Sequence, residues 1–121
     1  MLLFALFYSL LSVPIIPDCV LSKRREWREL DIIQQKKYID AELCLKKIPS
    51  IIDTNFTSNN VYDDLVYVHE KIMSKGHGNH DFLPFHRYFV LVHDKFMKQF
   101  CKYDGPFPYW DWSIDSQVFK Y

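Results

Sequence analysis

Apolar residues recur at intervals of three and four positions in three separate stretches of the chain, which is the period of one face of a helix. The first stretch begins at Asp31, which forms a capping-box pattern with Gln34, and it runs to about Lys47, where Pro49 stops it. The polar segment 50–60 then predicts a surface loop. The apolar face of this first helix consists of Tyr38, Ala41, Leu45 and Ile48.

A second helix is predicted to start after Asn60, which has Asp63 three residues later, and to run to about Met73. Gly76 then supplies a natural C-terminal stop. The inner face of this helix consists of Val61, Leu65, Val68, His69 and Ile72.

A third helix is predicted after a short, turn-rich connection. Pro84 suits its first turn, and the helix extends to about Cys101. The tail from Trp110 to Tyr121 has no clear period, and no alternation is strong enough to predict a strand. The fold class is therefore mainly α, a partial antiparallel helix bundle with irregular loops.

Length and composition predict one folded domain, and the balance of charges indicates no highly charged partner. The chain has 121 residues, with ten Phe, eight Tyr and three Trp, which argues against disorder. Fifteen basic and fifteen acidic residues cancel. Nothing in this balance points to nucleic acid or to an anionic membrane surface.

Residues 1–17 are predicted to be a signal peptide, which leaves residues 18–121 as the mature domain and predicts a secreted, extracellular protein. The apolar run is too short to span a bilayer comfortably, although a buried N-terminal segment is an alternative. The sequon Asn55-Phe56-Thr57 agrees with secretion. Among three cysteines, Cys19 and Cys44 could pair, which would leave Cys101 for a partner outside this chain.

Histidines on the second and third helices and on their connection could converge on one metal ion. His69 and His86 both lie on inward faces, and the connection carries His77 and His80, between which spacing does not choose. His93 would lie about 10 Å further along the helix than His86, too far to share an ion with it. Imidazole ligands suit copper, zinc, iron and nickel, so the ligand set alone does not identify the metal. A single inward histidine is also explained as a hydrogen-bonded core residue.

From Lys23 onward the chain resembles the copper-A half of the tyrosinase and catechol oxidase family, the type-3 copper proteins. The motifs that carry the resemblance cover nearly all of the mature chain in the family's order. They are Arg25-Glu26-Trp27-Arg28, Tyr38-Ile39-Asp40-Ala41, Cys44-Leu45, Tyr62-Asp63-Asp64-Leu65-Val66-Tyr67-Val68-His69, His77-Gly78, Phe82-Leu83-Pro84-Phe85-His86-Arg87-Tyr88-Phe89 and Pro108-Tyr109-Trp110-Asp111-Trp112.

The resemblance implies the N-terminal half of a type-3 copper four-helix core, with copper as cofactor and His69, His77 and His86 as its metal ligands. His80 and His93 fall at positions that the motif does not use. Phe85 stands where the family usually has Trp. No cysteine lies in the loop of His77, so the thioether cross-link of some members is not expected.

The resemblance also implies a function: oxidation of small phenols and catechols to ortho-quinones with dioxygen. The family's second copper needs three more histidines, including a His-x-x-x-His pair that this sequence does not contain. The chain is therefore expected to be a fragment that binds one copper ion, with little activity by itself. One alternative is an oxygen carrier with the same copper chemistry, which would also need the second half, and another is a secreted copper-binding or interaction protein without catalysis. Aspartates are candidates to orient the imidazoles, although caps or surface charges explain them more simply: Asp64, Asp81, Asp94 and Asp111.

Overall fold

Long helices dominate the computed structural model, which describes residues 23–52 and 58–116. The mainly α fold predicted from the sequence is confirmed. In chain order the elements are β1 (Arg25–Glu26), one turn of 3-10 helix (Trp27–Glu29), α1 (Ile32–Leu45), α2 (Val61–Gly76), α3 (Phe82–Cys101), β2 (Pro108–Tyr109) and α4 (Trp112–Ser116).

The three long helices begin where the sequence predicted. Asp31 and Gln34 form a complete capping box before α1, with each side chain accepting the other residue's backbone N–H. The Asn60 side chain accepts the N–H of Asp63 at 2.9 Å and caps α2. The predicted ends were less accurate, since α1 stops at Leu45 and α2 continues to Gly76.

The core lies between α1, the start of α2 and the C-terminal half of α3. Leu45, Val61 and Met97 are its fully buried large side chains. Aromatic rings close it from the side, where Tyr38 contacts Tyr103 and Phe107 edge to face. The buried members of this cluster are Ala41, Leu45, Val61, Leu65, Met97, Tyr103 and Phe107.

A disulfide joins Cys44 at the end of α1 to Cys101 at the end of α3. The suggested Cys19–Cys44 pair is therefore wrong, because the packing of α1 against α3 brings the Cα atoms of Cys44 and Cys101 to 5.9 Å. Cys19 lies outside the described residues, as do the predicted signal peptide 1–17 and the sequon 55–57.

Three short elements near the ends of the described chain, β1, β2 and α4, were not predicted. β1 and β2 form a two-residue parallel pair, with Arg25 opposite Pro108. α4 begins shortly after β2 and is joined to the 3-10 turn by Arg28, whose guanidinium donates to both carboxylate oxygens of Asp115. Elements this short carry too few residues for a periodic pattern.

The loop between α1 and α2 is closed at its base. Pro49 and Asn60 form an antiparallel bridge, and the buried Asp64 carboxylate accepts hydrogen bonds from the Ser50 hydroxyl and the Ile51 N–H. Although burial opposes ionisation, these hydrogen bonds hold the pKa of Asp64 below its ordinary value.

Across the described residues, no helix is long and apolar enough to cross a membrane.

Candidate metal centre

Three imidazoles from two helices and their connection meet at one end of the molecule. His69 lies on α2, His86 lies in the second turn of α3, and His77 directly follows α2. One ring nitrogen from each residue can be chosen so that all three lie within 4.8 Å of one another. In the part of the chain that the structure describes, this is the one such group of histidine, cysteine or acidic side chains.

Backbone carbonyls orient two of the three rings. His77 Nδ1 lies 3.0 Å from the carbonyl oxygen of Met73, and His86 Nδ1 lies 2.7 Å from that of Phe82. A carbonyl only accepts, so each Nδ1 carries the hydrogen and donates it. The Nε2 atom of each ring is therefore left with its lone pair, which is the form in which imidazole binds a metal.

The Nε2 atoms of His69 and His86 lie 3.3 Å apart. Two lone pairs facing each other at this distance would repel, so the nitrogens either share one hydrogen or bind one cation. A pair of metal–nitrogen bonds of about 2.0 Å in tetrahedral arrangement also separates its nitrogens by roughly 3.3 Å. The donor set and the spacing of this pair therefore fit a metal ion held by neutral imidazoles.

The short connection that carries His77 is stabilised by two hydrogen bonds of the Asn79 side chain. The Asn79 side-chain amide donates to the carbonyl of Lys75 at 2.6 Å, and its oxygen accepts the N–H of Asp81 at 2.8 Å. Gly78 has a φ of 73°, in the left-handed region that glycine enters without strain. Sequence reasoning gave no role to Asn79, although Gly followed by Asn between two helices is a recognisable turn composition.

Phenylalanine rings of α3 pack against the histidine rings. The Phe85 ring lies parallel to that of His69, with centroids 6.3 Å apart and an interplanar angle of 4°. The ring centroids of Phe89 and His69 lie 5.4 Å apart, and those of Phe82 and His86 lie 4.4 Å apart. Apolar neighbours lower the local dielectric constant and restrict the access of water to the nitrogens.

The remaining two histidines have other contacts. His80 projects into solvent with 91% of its side chain exposed, and its Nε2 lies 3.3 Å from the Asp81 carboxylate. His93 Nε2 lies 3.0 Å from the Glu42 carboxylate, which links α3 to α1. Neither belongs to the group formed by the other three.

Three of the four aspartates considered as orienting groups form hydrogen bonds elsewhere, and the fourth, Asp81, lies beside His80. Asp94 accepts from Lys98 one helical turn later, and Asp111 accepts from the backbone and hydroxyl of Ser113. Asp64 closes the loop between α1 and α2. Carbonyl oxygens of the helices themselves take the orienting role at two of the rings, which residue types alone do not reveal.

Fold and site together define a small helical protein with a three-imidazole site suited to a transition metal. The family model described as the common central domain of tyrosinase matches residues 59–121. The chain therefore belongs to the tyrosinase family, whose members are copper-dependent.

Relatives with curated names cover most of the chain. Tyrosinase ustQ of Aspergillus flavus is 40% identical over 92 residues, which are 76% of this chain and 25% of the relative. Tyrosinase-like protein phomQ1 of Diaporthe leptostromiformis is 41% identical over 93 residues, 77% of this chain and 23% of the relative. N-acetyl-6-hydroxytryptophan oxidase ivoB of Emericella nidulans is 32% identical over 100 residues, 81% of this chain and 27% of the relative. The chain thus spans about a quarter of the length of these relatives.

Proposed function

We propose that this chain supplies the first copper site of a tyrosinase-type centre, with His69, His77 and His86 as the ligands of one copper ion. The complete centre would oxidise small phenols or catechols to ortho-quinones with dioxygen. A second copper site would come from residues that are not in this sequence. Membership of the tyrosinase family supports the reaction class.

The convergence of three imidazole nitrogens within 4.8 Å is the observation that carries this proposal. Hydrogen bonds to backbone carbonyls keep the Nδ1 atoms of His77 and His86 protonated, which frees both Nε2 atoms for a metal. Neutral nitrogen ligands suit copper and zinc alike. The copper dependence of the family favours copper.

Copper bound at this site would supply one-electron redox chemistry toward dioxygen. The chain contributes the three neutral nitrogens, the carbonyl oxygens that orient two of the rings, and the phenylalanine rings that pack against the imidazoles. Catechol oxidation removes two electrons and two protons, and one copper site cannot share the two electrons with a second metal. We therefore expect the isolated chain to show little turnover.

The relatives support a phenolic substrate class. One of them is named as an oxidase of N-acetyl-6-hydroxytryptophan, a hydroxylated aromatic compound. For this chain we propose the broader class of small phenols and catechols, because the residues that would contact a substrate beside a second copper are not in the sequence.

We also propose that the protein is secreted. Disulfides persist in oxidising compartments and are rare in the cytosol of mesophiles. The bond between Cys44 and Cys101 therefore supports the export that residues 1–17 predict.

A titration of the purified chain with copper(I) against a chromogenic chelator tests the ligand assignment. We expect about one ion per chain, as three ligands at one position imply. His69→Ala and His86→Ala should abolish binding at the concentrations of the titration, because the remaining pair of imidazoles holds the ion much more weakly than three do. His77→Ala leaves a pair as well and should lose binding in the same way.

His80→Ala and His93→Ala are the matched controls, since each removes an imidazole that is not part of the converging group. Both variants should bind copper with native affinity. Loss of binding in His80→Ala with retention in His77→Ala would overturn the assignment. Rapid turnover of a diphenol by the isolated chain would overturn the proposal that a second site is needed.

A copper-binding protein without catalysis is the second candidate. The observation that favours it is the single three-histidine group among residues 23–52 and 58–116. The two candidates are separated by reading the transcript beyond the codon for Tyr121. A continuing frame that encodes a further histidine set supports the enzyme, whereas a stop codon supports the second candidate.

A further inference from the structure

We propose that Gly76 and Phe85 form a contact that fixes the relative positions of the three imidazoles, an inference that rests on the function proposed above. Both act as positioning residues. Gly76 is the last residue of α2, is buried, and is followed directly by His77. Phe85 lies in the first turn of α3 and directly precedes His86.

The contact leaves no room for a side chain at position 76 unless the side chain of Phe85 or Ile72 shifts. A Cβ atom at Gly76 would lie 3.0 Å from Cδ1 of Phe85 and 3.1 Å from Cγ2 of Ile72. These distances are shorter than an ordinary van der Waals contact of about 3.5–4.0 Å. Gly76 is helical and has no positive φ, so close packing explains the glycine and backbone strain does not.

Phe85 also contacts the rings of the other two ligands, His69 and His86. Its ring lies parallel to that of His69 and makes an edge-on contact with His86, with centroids 5.0 Å apart. Offset-parallel and edge-on arrangements at such distances are favourable for aromatic pairs. Phe89 contacts both Phe85 and His69 and so belongs to the same group of rings.

The hydrogen bond of His77 depends on the same helix end. His77 Nδ1 reaches the carbonyl of Met73 because α2 stops at Gly76 and the backbone of His77 becomes extended. A shift of Gly76 away from Phe85 would move this ring relative to the other two. One contact between α2 and α3 thus sets the separation of all three nitrogens.

Gly76→Ala in the full chain tests the proposal. We expect metal binding to weaken by about tenfold or more, the size of effect that a lost orienting partner has on metal affinity. The visible spectrum of the cobalt(II)-loaded chain should also change, because it reports the arrangement of the ligands. Phe85→Leu removes the ring without adding an atom at position 76 and should weaken binding in the same way.

Gly105→Ala is the matched control. A Cβ atom at Gly105 would lie 2.6 Å from the Tyr103 hydroxyl oxygen, a closer contact than at Gly76, but Tyr103 contacts no imidazole of the trio. This variant should lose thermal stability and keep both native affinity and the native cobalt spectrum. Equal losses of affinity in Gly76→Ala and Gly105→Ala would overturn the proposal, because general destabilisation would then explain both.

The double variant Gly76→Ala/Phe85→Leu measures the contact itself. If the two residues act through one contact, its loss of affinity should be smaller than the product of the two single losses. Losses that multiply independently, or native affinity and spectrum in Gly76→Ala and in Phe85→Leu, would overturn the inference.

A metal-independent measurement separates this inference from the proposed function. The ring current of Phe85 should shift the carbon-bound proton resonances of His69, and both Gly76→Ala and Phe85→Leu should move them in the absence of metal. If the native chain bound no metal but these resonances moved, the proposed function would fail and the positioning contact would stand. Unmoved resonances would overturn the contact.

Discussion

The two ends of α3 differ in how the chain holds them. At the C-terminal end, Met97 is fully buried in the core cluster that includes Leu45, and a disulfide joins Cys101 to α1. At the N-terminal end, His86 is only partly buried and Phe82 is 41% exposed. Burial and a covalent bond stabilise the first end, whereas ring contacts and hydrogen bonds to carbonyls arrange the second. We infer that stability and site geometry reside largely in different parts of the chain.

Removal of the disulfide should give the largest loss of stability. It also tests whether stability and site geometry reside in different parts of the chain. The bond closes a segment of 57 residues, for which loss of loop entropy in the unfolded chain predicts a stabilisation of about 4 kcal/mol. Urea unfolding of Cys44→Ser/Cys101→Ser should show a loss of that order. Metal affinity, measured where the variant is still folded, should be unchanged. A parallel loss of affinity would break the separation between the two ends.

Truncation of Met97 should be nearly as costly. Its side chain is fully buried, so Met97→Ala should lower the free energy of unfolding by about 3 kcal/mol through lost burial and a residual cavity. Met73→Ala, on the exposed face of α2, should change it by less than about 0.5 kcal/mol. Similar losses in both variants would show that the core does not lie where the packing indicates.

Metal binding should stabilise the folded chain through the site at the N-terminal end of α3. At a free copper(I) concentration of 100 times the dissociation constant, the folded state gains about 2.7 kcal/mol. Thermal unfolding with and without the ion measures this shift. It should vanish in His86→Ala and persist in His93→Ala, even though the second variant starts from lower stability. Persistence of the shift in His86→Ala would contradict the ligand assignment.

The smallest predicted effect is a loss of stability in acid at the contact between α1 and α3. Burial by itself would raise the pKa of Glu42, but hydrogen bonds from His93 and Tyr38 and the nearby charge of His93 hold it below 4.5. Because the folded pKa is the lower one, the stabilisation is present above pH 4.5 and is lost as the pH falls through the folded value.

Urea midpoints across this acid range should therefore fall less steeply in Glu42→Gln than in the native chain. Glu70→Gln serves as the control, since Glu70 is exposed and forms no ion pair among the described residues. The same acid dependence in native chain and Glu42→Gln would show that the Glu42–His93 contact does not contribute.

Helix starts were predictable because their causes are local. The capping box of Asp31 and the cap of Asn60 each involve residues three apart, so the sequence contains all that is needed. Helix ends were predicted less well, since α2 passes Met73 and stops only where the connection pinned by Asn79 begins. The parallel strand pair joins residues more than eighty positions apart, and short segments of this kind leave no periodic pattern.

By itself, the sequence determined the helical period, the helix starts and a motif order that identifies the family. Tertiary structure alone decided that Cys44 pairs with Cys101, that His93 contacts Glu42, and that Gly76 lies against the ring between two histidines. Each of these contacts joins residues from different helices. Their distances follow from how the helices pack, and spacing along one helix does not specify them.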